Sequence, residues 1–242
     1  MSGKILRVLN NNVILIKGKQ GKQYILVGKG IGFNKHIGDR FVITKQVEQT
    51  FILQDNNNQK NYENLVNKTD SQLTTIVEEE LAIFQKEIPQ TLNENIHSTL
   101  IDHLRGAIDR YRKGIIFENP YNYVIQATFE SEYEAARRIV NRLNKKYGVE
   151  MNENEISIVA MHLNAAKNNV GIAESMERTE LANKTVEEIY KNLNMEIDYN
   201  SFIYKRMVIH CVLAYNRIFN RTTIDNDLTN NIRKLFPKEF KC

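Results

Sequence analysis

Apolar and polar positions come in short bursts over the first quarter of the chain and then change period. "KILRVL" (4–9), "NVILIK" (12–17), "KQYILVG" (22–28), "RFVITK" (40–45) and "QTFIL" (49–53) are β-branched and aromatic runs separated by "NNN", "GKQG", a glycine-rich stretch and a polar connection. That spacing predicts a small antiparallel sheet. Fewer than 60 residues bury little apolar surface, so such a sheet needs a partner, and a homodimer is the natural remedy.

Residues Asn56 to Lys68 read as a polar link, after which the period becomes 3.6. Leu73, Ile76, Val77, Leu81, Phe84 and Ile88 make one stripe behind Asp70, a good N-cap; Ile96, Leu100, Leu104, Ala107 and Tyr111 make the next. "SEYEAARRIVNRLNKKYG" (131–148) closes on Gly148, and "NENEISIVAMHLNAA" (152–166) opens with Asn152 and Glu155 at capping-box spacing. Leu181, Val186, Ile189 and Leu193 outline a later helix.

The helical part repeats. "DHLRGAIDR" (102–110) and "IHCVLAYNR" (209–217) share His-x3-Ala-x2-Arg, matching His103, Ala107 and Arg110 with His210, Ala214 and Arg217 at an offset of 107 residues. A domain-sized period in helical context favours a duplication over chance, with two tandem domains split near Lys167 to Glu177. The same offset puts a counterpart of His162 near residue 269, beyond Cys242, so the second domain is expected to lack its last helix or two.

Composition narrows the class. The chain has 242 residues, 42% of them apolar, yet no apolar run approaches the roughly 20 residues of a membrane span and no signal-peptide core opens it. A cytoplasmic protein without membrane insertion is expected. Cys211 and Cys242 form no CxxC pair and have no His/Cys cluster around them, so plain thiols, no metal and no cofactor are expected.

Charge divides the chain further. Residues 1 to 60 carry ten Lys/Arg against Asp39, Glu48 and Asp55, a balance of +7 that leaves −3 on the rest. A basic head on a mildly acidic body fits a polyanion-binding module, with a merely solubilising surface as the alternative.

The loops of the head carry candidate chemistry. Asn10, Asn11 and Asn12 can turn the chain and still offer amides outward. Gly28, Gly30 and Gly32 permit close backbone approach, Lys29 adds charge and Phe33 a stacking face. Without a basic recognition helix, RNA with unpaired bases is favoured over duplex DNA. In the body, His103, His162 and His210 lie on or beside apolar stripes, where a histidine is commonly a satisfied core residue. No serine or cysteine is marked as a nucleophile, and no enzyme is indicated. A histidine can nevertheless accept a phosphoryl group, which switches local charge.

The stretch "KILRVLNNNVILIKGKQGKQYILVGKGIGFNKHIGD" resembles the co-antiterminator RNA-binding domain of the BglG/LicT/SacY family of bacterial transcription antiterminators. The resemblance implies a four-stranded antiparallel sheet that dimerises on a leader RNA hairpin, with Arg7, Asn10, Asn12, Gly28, Lys29, Gly30 and Phe33 as RNA contacts; Phe33 could instead serve the dimer core. "LIDHLRGAIDR", "EISIVAMHLNAA" and "YKRMVIHCVLAYNRIF" resemble tandem phosphotransferase-system (PTS) regulation domains. That implies His103, His162 and His210 as phosphorylated or regulatory residues, with Asp102 orienting His103. HPr and a sugar-specific phosphotransferase transporter component would be partners. Phosphoryl groups on His103 or His162 would disfavour the RNA-competent dimer and one on His210 would favour it. Where the family commonly reads "NPLLWEIKRLYPEEF", this chain reads "NPYNYVIQATFESEY" (119–133).

The expected fold is multidomain α and β. A small N-terminal four-stranded antiparallel sheet (1–58) precedes two all-α helical bundles, 68–170 and a C-terminally incomplete 176–242. The expected function is an RNA-binding antiterminator of a sugar-utilisation operon. A PTS-regulated DNA-binding activator and a phosphoryl-carrier protein are the alternatives from other classes.

Overall fold

The structure, a computed structural model, describes residues 2–199, 201–219, 221–222 and 229–237. Two compact units divide the chain, Met1–Glu180 and Leu181–Cys242.

All five apolar runs of the head form strands: β1 Ser2–Val8, β2 Val13–Lys17, β3 Gln23–Val27, β4 Arg40–Val42 and β5 Gln49–Leu53, in the antiparallel order β4-β1-β2-β3-β5. The sheet therefore has one strand more than the four the resemblance implied. The short β4 adds to the edge of β1, Ser2 opposite Val42 and Lys4 opposite Arg40. Register puts Ile14 opposite Leu26 and Ile16 opposite Tyr24 on one face, where they pack with Ile5, Ile31 and Phe41. Leu15, Ile25 and Phe51 line up across β2, β3 and β5 on the other face.

The polar link is a helix. α1 spans Asn56–Lys68; the Asp55 carboxylate caps it by accepting from the N–H groups of Asn57 and Asn58, and Gln59, Tyr62 and Val66 are buried. Asparagine's poor helix propensity hid it in the sequence, while the N-cap and three inward side chains outweigh that propensity. α2 (Ser71–Glu87) starts at Asp70 and α3 spans Ile96–Arg112; each buries its expected stripe except for terminal Ile88 and Tyr111. A short α4 (Asn122–Thr128) lies in the stretch that departs from the family wording. α5 (Glu130–Tyr147) ends on Gly148 at φ +62°, and α6 spans Glu153–Lys167.

The second face of the sheet is covered by this chain's own helices, α2 against β2 and β3 and α1 against β5. The cover expected from a second copy is thus supplied, on this face, from within the chain. A buried polar anchor ties the layers: Phe51 meets the His97 ring edge-on at 4.6 Å, His97 Nδ1 pairs with Glu78 Oε2 at 2.7 Å, and the Tyr62 hydroxyl donates to Glu78 Oε1 at 2.9 Å. Burial and then the Glu78 charge push the Tyr62 phenol well above its ordinary value.

α7 (Ile172–Asn192) begins in the first unit and continues into the second, which also holds α8 (Phe202–Phe219) and α9 (Thr229–Leu235). Within the second unit Ala182, Val186 and Tyr190 are buried, and the Tyr204 hydroxyl donates to Asn183 Oδ1 at 3.0 Å. Of the stripe predicted for α7, Val186 is buried but Leu181, Ile189 and Leu193 are exposed. The inward face is offset by one residue because Ala182 and Tyr190 belong to it. Cys211 is a free thiol, and Cys242 lies outside the described residues, as does part of the predicted 176–242 domain.

Candidate nucleic-acid interface and histidine cluster

The two motifs of the head are stitched into one surface. Asn10 Oδ1 accepts from the N–H groups of Asn12 (2.7 Å) and Val13 (2.8 Å), closing the asparagine turn. Asn12 Oδ1 then accepts from Gly30 N at 3.1 Å, while Gly28 N donates to Asn12 O and Gly32 N to Asn11 O, both at 2.9 Å. The glycines are not equivalent. A Cβ at Gly28 would lie 2.0 Å from Gln46 O and one at Gly32 2.2 Å from Asn10 O, so the close approach these two permit is to the protein's own backbone. Gly30 has φ +73° and open space around it, a conformation other residues adopt at a cost. Lys29 and Phe33 face outward, the phenylalanine 61% exposed.

Three of the predicted contacts, Asn10, Asn12 and Arg7, also reach toward the helices. Asn12 Nδ2 donates to Glu79 Oε1 at 3.1 Å and Asn10 Nδ2 approaches the same oxygen at 3.5 Å; Arg7 donates to Asn67 Oδ1. Glu79 Oε2 is held in turn by Arg142 at 2.6 Å, and Arg142 also reaches Glu80 at 2.9 Å. Charge-assisted bonds thus brace the acid that meets the asparagine turn.

The second cluster lies between α3 and α6. His103 Nε2 is 2.9 Å from Glu155 Oε2, and Arg110 donates to Glu155 Oε1 at 2.7 Å. Burial of Glu155 works against its charge, but the hydrogen bonds and charges of His103 and Arg110 outweigh it and hold the carboxyl below its ordinary value. The His162 ring lies 5.0 Å from that of His103. Burial, with His103 alongside, depresses His162 to about 3, so at neutral pH it is uncharged. His162 also lines a cleft of about 110 Å³ with Asn93, Asn95 and Thr99.

The structure departs from two sequence expectations at this cluster. Asp102 does not orient His103: it is exposed and accepts from Arg105 at 2.6 Å, since neighbours on a helix point about 100° apart. Glu155 does not complete a capping box. Asn152 caps α6 through Asn154 N at 3.0 Å, but the Glu155 carboxylate turns inward to His103. The repeated His-x3-Ala-x2-Arg pattern carried the missing signal, because its spacing puts His103 and Arg110 on one face of α3, where both reach Glu155. His210 lies exposed on α8 in the other unit.

The PRD domain family matches residues 78–166 and 183–242, and the CAT RNA-binding domain family matches residues 4–60. The chain belongs to the PRD family and carries a CAT domain at its head. It is similar to the transcription antiterminator LicT of Bacillus subtilis, 25% identical over 242 residues, with 99% of this chain and 87% of that protein covered. Protein GlcT of Staphylococcus saprophyticus is 28% identical over 236 residues, covering 98% and 83%. The crystal structure of GlcT CAT-PRDI superposes with a TM-score of 0.58 at 32% identity, over 69% of this chain and 99% of that one. The asparagine turn and glycine loop therefore lie in the CAT domain, His103 and His162 in the first PRD match and His210 in the second.

Proposed function

We propose that the chain is an RNA-binding transcriptional antiterminator of a sugar-utilisation operon, a regulator and not an enzyme. The observation that carries this is the CAT surface in which Asn12 bridges the asparagine turn to the glycine loop, leaving Lys29 and Phe33 exposed beside it. In this reading Lys29 and Arg7 contact phosphates, Phe33 stacks on an unpaired base, and the Asn10 and Asn12 amides read base edges or sugars. Gly28 and Gly30 act by shaping the loop. Binding a leader hairpin would prevent the competing terminator from forming.

The domains assigned are 1–58 for RNA, with 68–170 and 176–242 for regulation. His103, His162 and His210 accept phosphoryl groups from HPr or a sugar-specific transporter component in the cytoplasm, and a homodimer binds the RNA. The Arg7–Asn67 and Asn12–Glu79 contacts fit a docked state in which helices compete with RNA for the CAT side chains.

The test is binding of the full chain to a leader hairpin with internal loops, beside a fully paired RNA and duplex DNA, over a range of salt. Preference for the looped hairpin, a steep loss with salt and weakening by Asn12→Ala and Phe33→Ala are expected. Equal weak binding to all three would refute the reading.

A further inference from the structure

We propose that His103 takes up the phosphoryl group on Nδ1, and that Glu155 is the positioning residue that selects this nitrogen. The proposal rests on reading His103 as a phosphoryl acceptor.

A carboxylate only accepts hydrogen bonds, so the 2.9 Å contact from Glu155 Oε2 puts the proton of the neutral imidazole on Nε2. The lone pair of the ring then lies on Nδ1. Arg110 occupies the other carboxylate oxygen at 2.7 Å and fixes its orientation. Glu155 is fully buried, whereas the His103 side chain keeps 17% of its surface exposed. No described residue hydrogen-bonds Nδ1, and Asp102 is engaged by Arg105. The His162 ring, 5.0 Å away, is uncharged at neutral pH and so does not repel the imidazolium charge that His103 acquires.

The donor class is a phosphoramidate, such as an N-phosphohistidine protonated on its other ring nitrogen. The His103 Nδ1 lone pair forms the new N–P bond as the donor's N–P bond breaks, and the donor nitrogen keeps that electron pair. The donor ring leaves neutral. His103, still protonated at Nε2, acquires the imidazolium charge that the donor gives up, directly opposite the Glu155 carboxylate. The arrangement resembles the carboxylate that holds a catalytic histidine in its tautomer and stabilises its charged form.

Glu155→Gln reverses the polarity. Arg110 can only donate, so the amide oxygen faces Arg110 and the amide NH2 faces His103 Nε2, which must then accept. The proton moves to Nδ1 and the reactive lone pair there is lost.

The experiment labels the full-length protein with potassium phosphoramidate and, separately, with HPr charged from phosphoenolpyruvate, and locates the label by mass spectrometry. Nδ1- and Nε2-phosphohistidine are distinguished by isomer-specific antibodies and ³¹P NMR. Wild type is expected to give the Nδ1 isomer at His103 with either donor. Glu155→Gln is expected to lose that isomer, with exposed His36 labelled as in wild type. An Nε2 isomer at His103, no phosphoramidate label there, or an unchanged Nδ1 isomer in the variant would overturn the proposal. Nδ1 labelling by phosphoramidate but none by the carrier would instead overturn the acceptor reading. Should the variant fail to fold, ¹⁵N NMR of wild type decides: a proton on Nε2 supports the assignment and one on Nδ1 refutes it.

Discussion

Glu79 Oε1 accepts from the side-chain amide of Asn12 across 3.1 Å, so an acid on α2 occupies one of the groups expected to meet RNA. Glu79→Ala releases Asn12 and removes a negative charge from the path of the phosphates. Arg142 keeps its bond to Glu80, so the fold is expected to be little affected. A gain of about 1 kcal/mol, or about fivefold tighter hairpin binding, is expected in a titration of variant against wild type.

The glycines separate by mechanism. At Gly32 a methyl group would lie 2.2 Å from the Asn10 carbonyl, backbone against backbone, with Ile14 and Val8 also close. Gly32→Ala is expected to cost about 2 kcal/mol or more and to lower the melting temperature. Gly30→Ala meets no atom and pays only for its positive φ, about 1 kcal/mol, in the same denaturation measurement.

Glu78 accepts from the Tyr62 hydroxyl at 2.9 Å and pairs with His97 at 2.7 Å, with all three side chains buried. Removing the carboxylate orphans both partners. Glu78→Ala is expected to cost about 3 kcal/mol in urea unfolding, and Tyr62→Phe about 1 to 3 kcal/mol by leaving the buried charge short of a donor.

His162 makes stability depend on pH. Its folded-state value is depressed from 6.5 to about 3, so as pH falls below 6.5 the unfolded chain takes a proton that the folded chain refuses. Stability is complete above 6.5 and lost on descending, by about 1.4 kcal/mol per pH unit over that window. Glu155 and Glu132, also depressed, add losses only where carboxylates titrate. Urea unfolding at pH 7 and at about pH 5 is expected to show a loss of about 2 kcal/mol in wild type that His162→Gln largely removes.

What was legible in the sequence was local. Turn chemistry and strand period sufficed for the sheet and its two loops, and the caps Asp70, Gly148 and Asn152 marked helix ends correctly. What failed depended on distant partners. Glu155 has the spacing of a cap, and only the packing of α6 on α3 turns it toward a histidine 52 residues earlier. Glu79 and Asn12 are 67 residues apart, and nothing in either segment announces the other. α1 was lost for a different reason, because its inward Gln59, Tyr62 and Val66 are diluted by asparagines.

That helix has a thermodynamic consequence for the proposed binding of RNA to the head. A 13-residue α1 is about 20 Å long and does not collapse or wander as a flexible tether would. It keeps Glu79 near the asparagine turn at a high effective concentration, so a hairpin binding through Asn12, as proposed, would compete with an intramolecular rival and not with acids in bulk solution. The free energy of undocking would then be subtracted from the intrinsic affinity of the sheet. On that expectation the ratio of the full chain's affinity to that of the sheet alone measures how often the docked form is open.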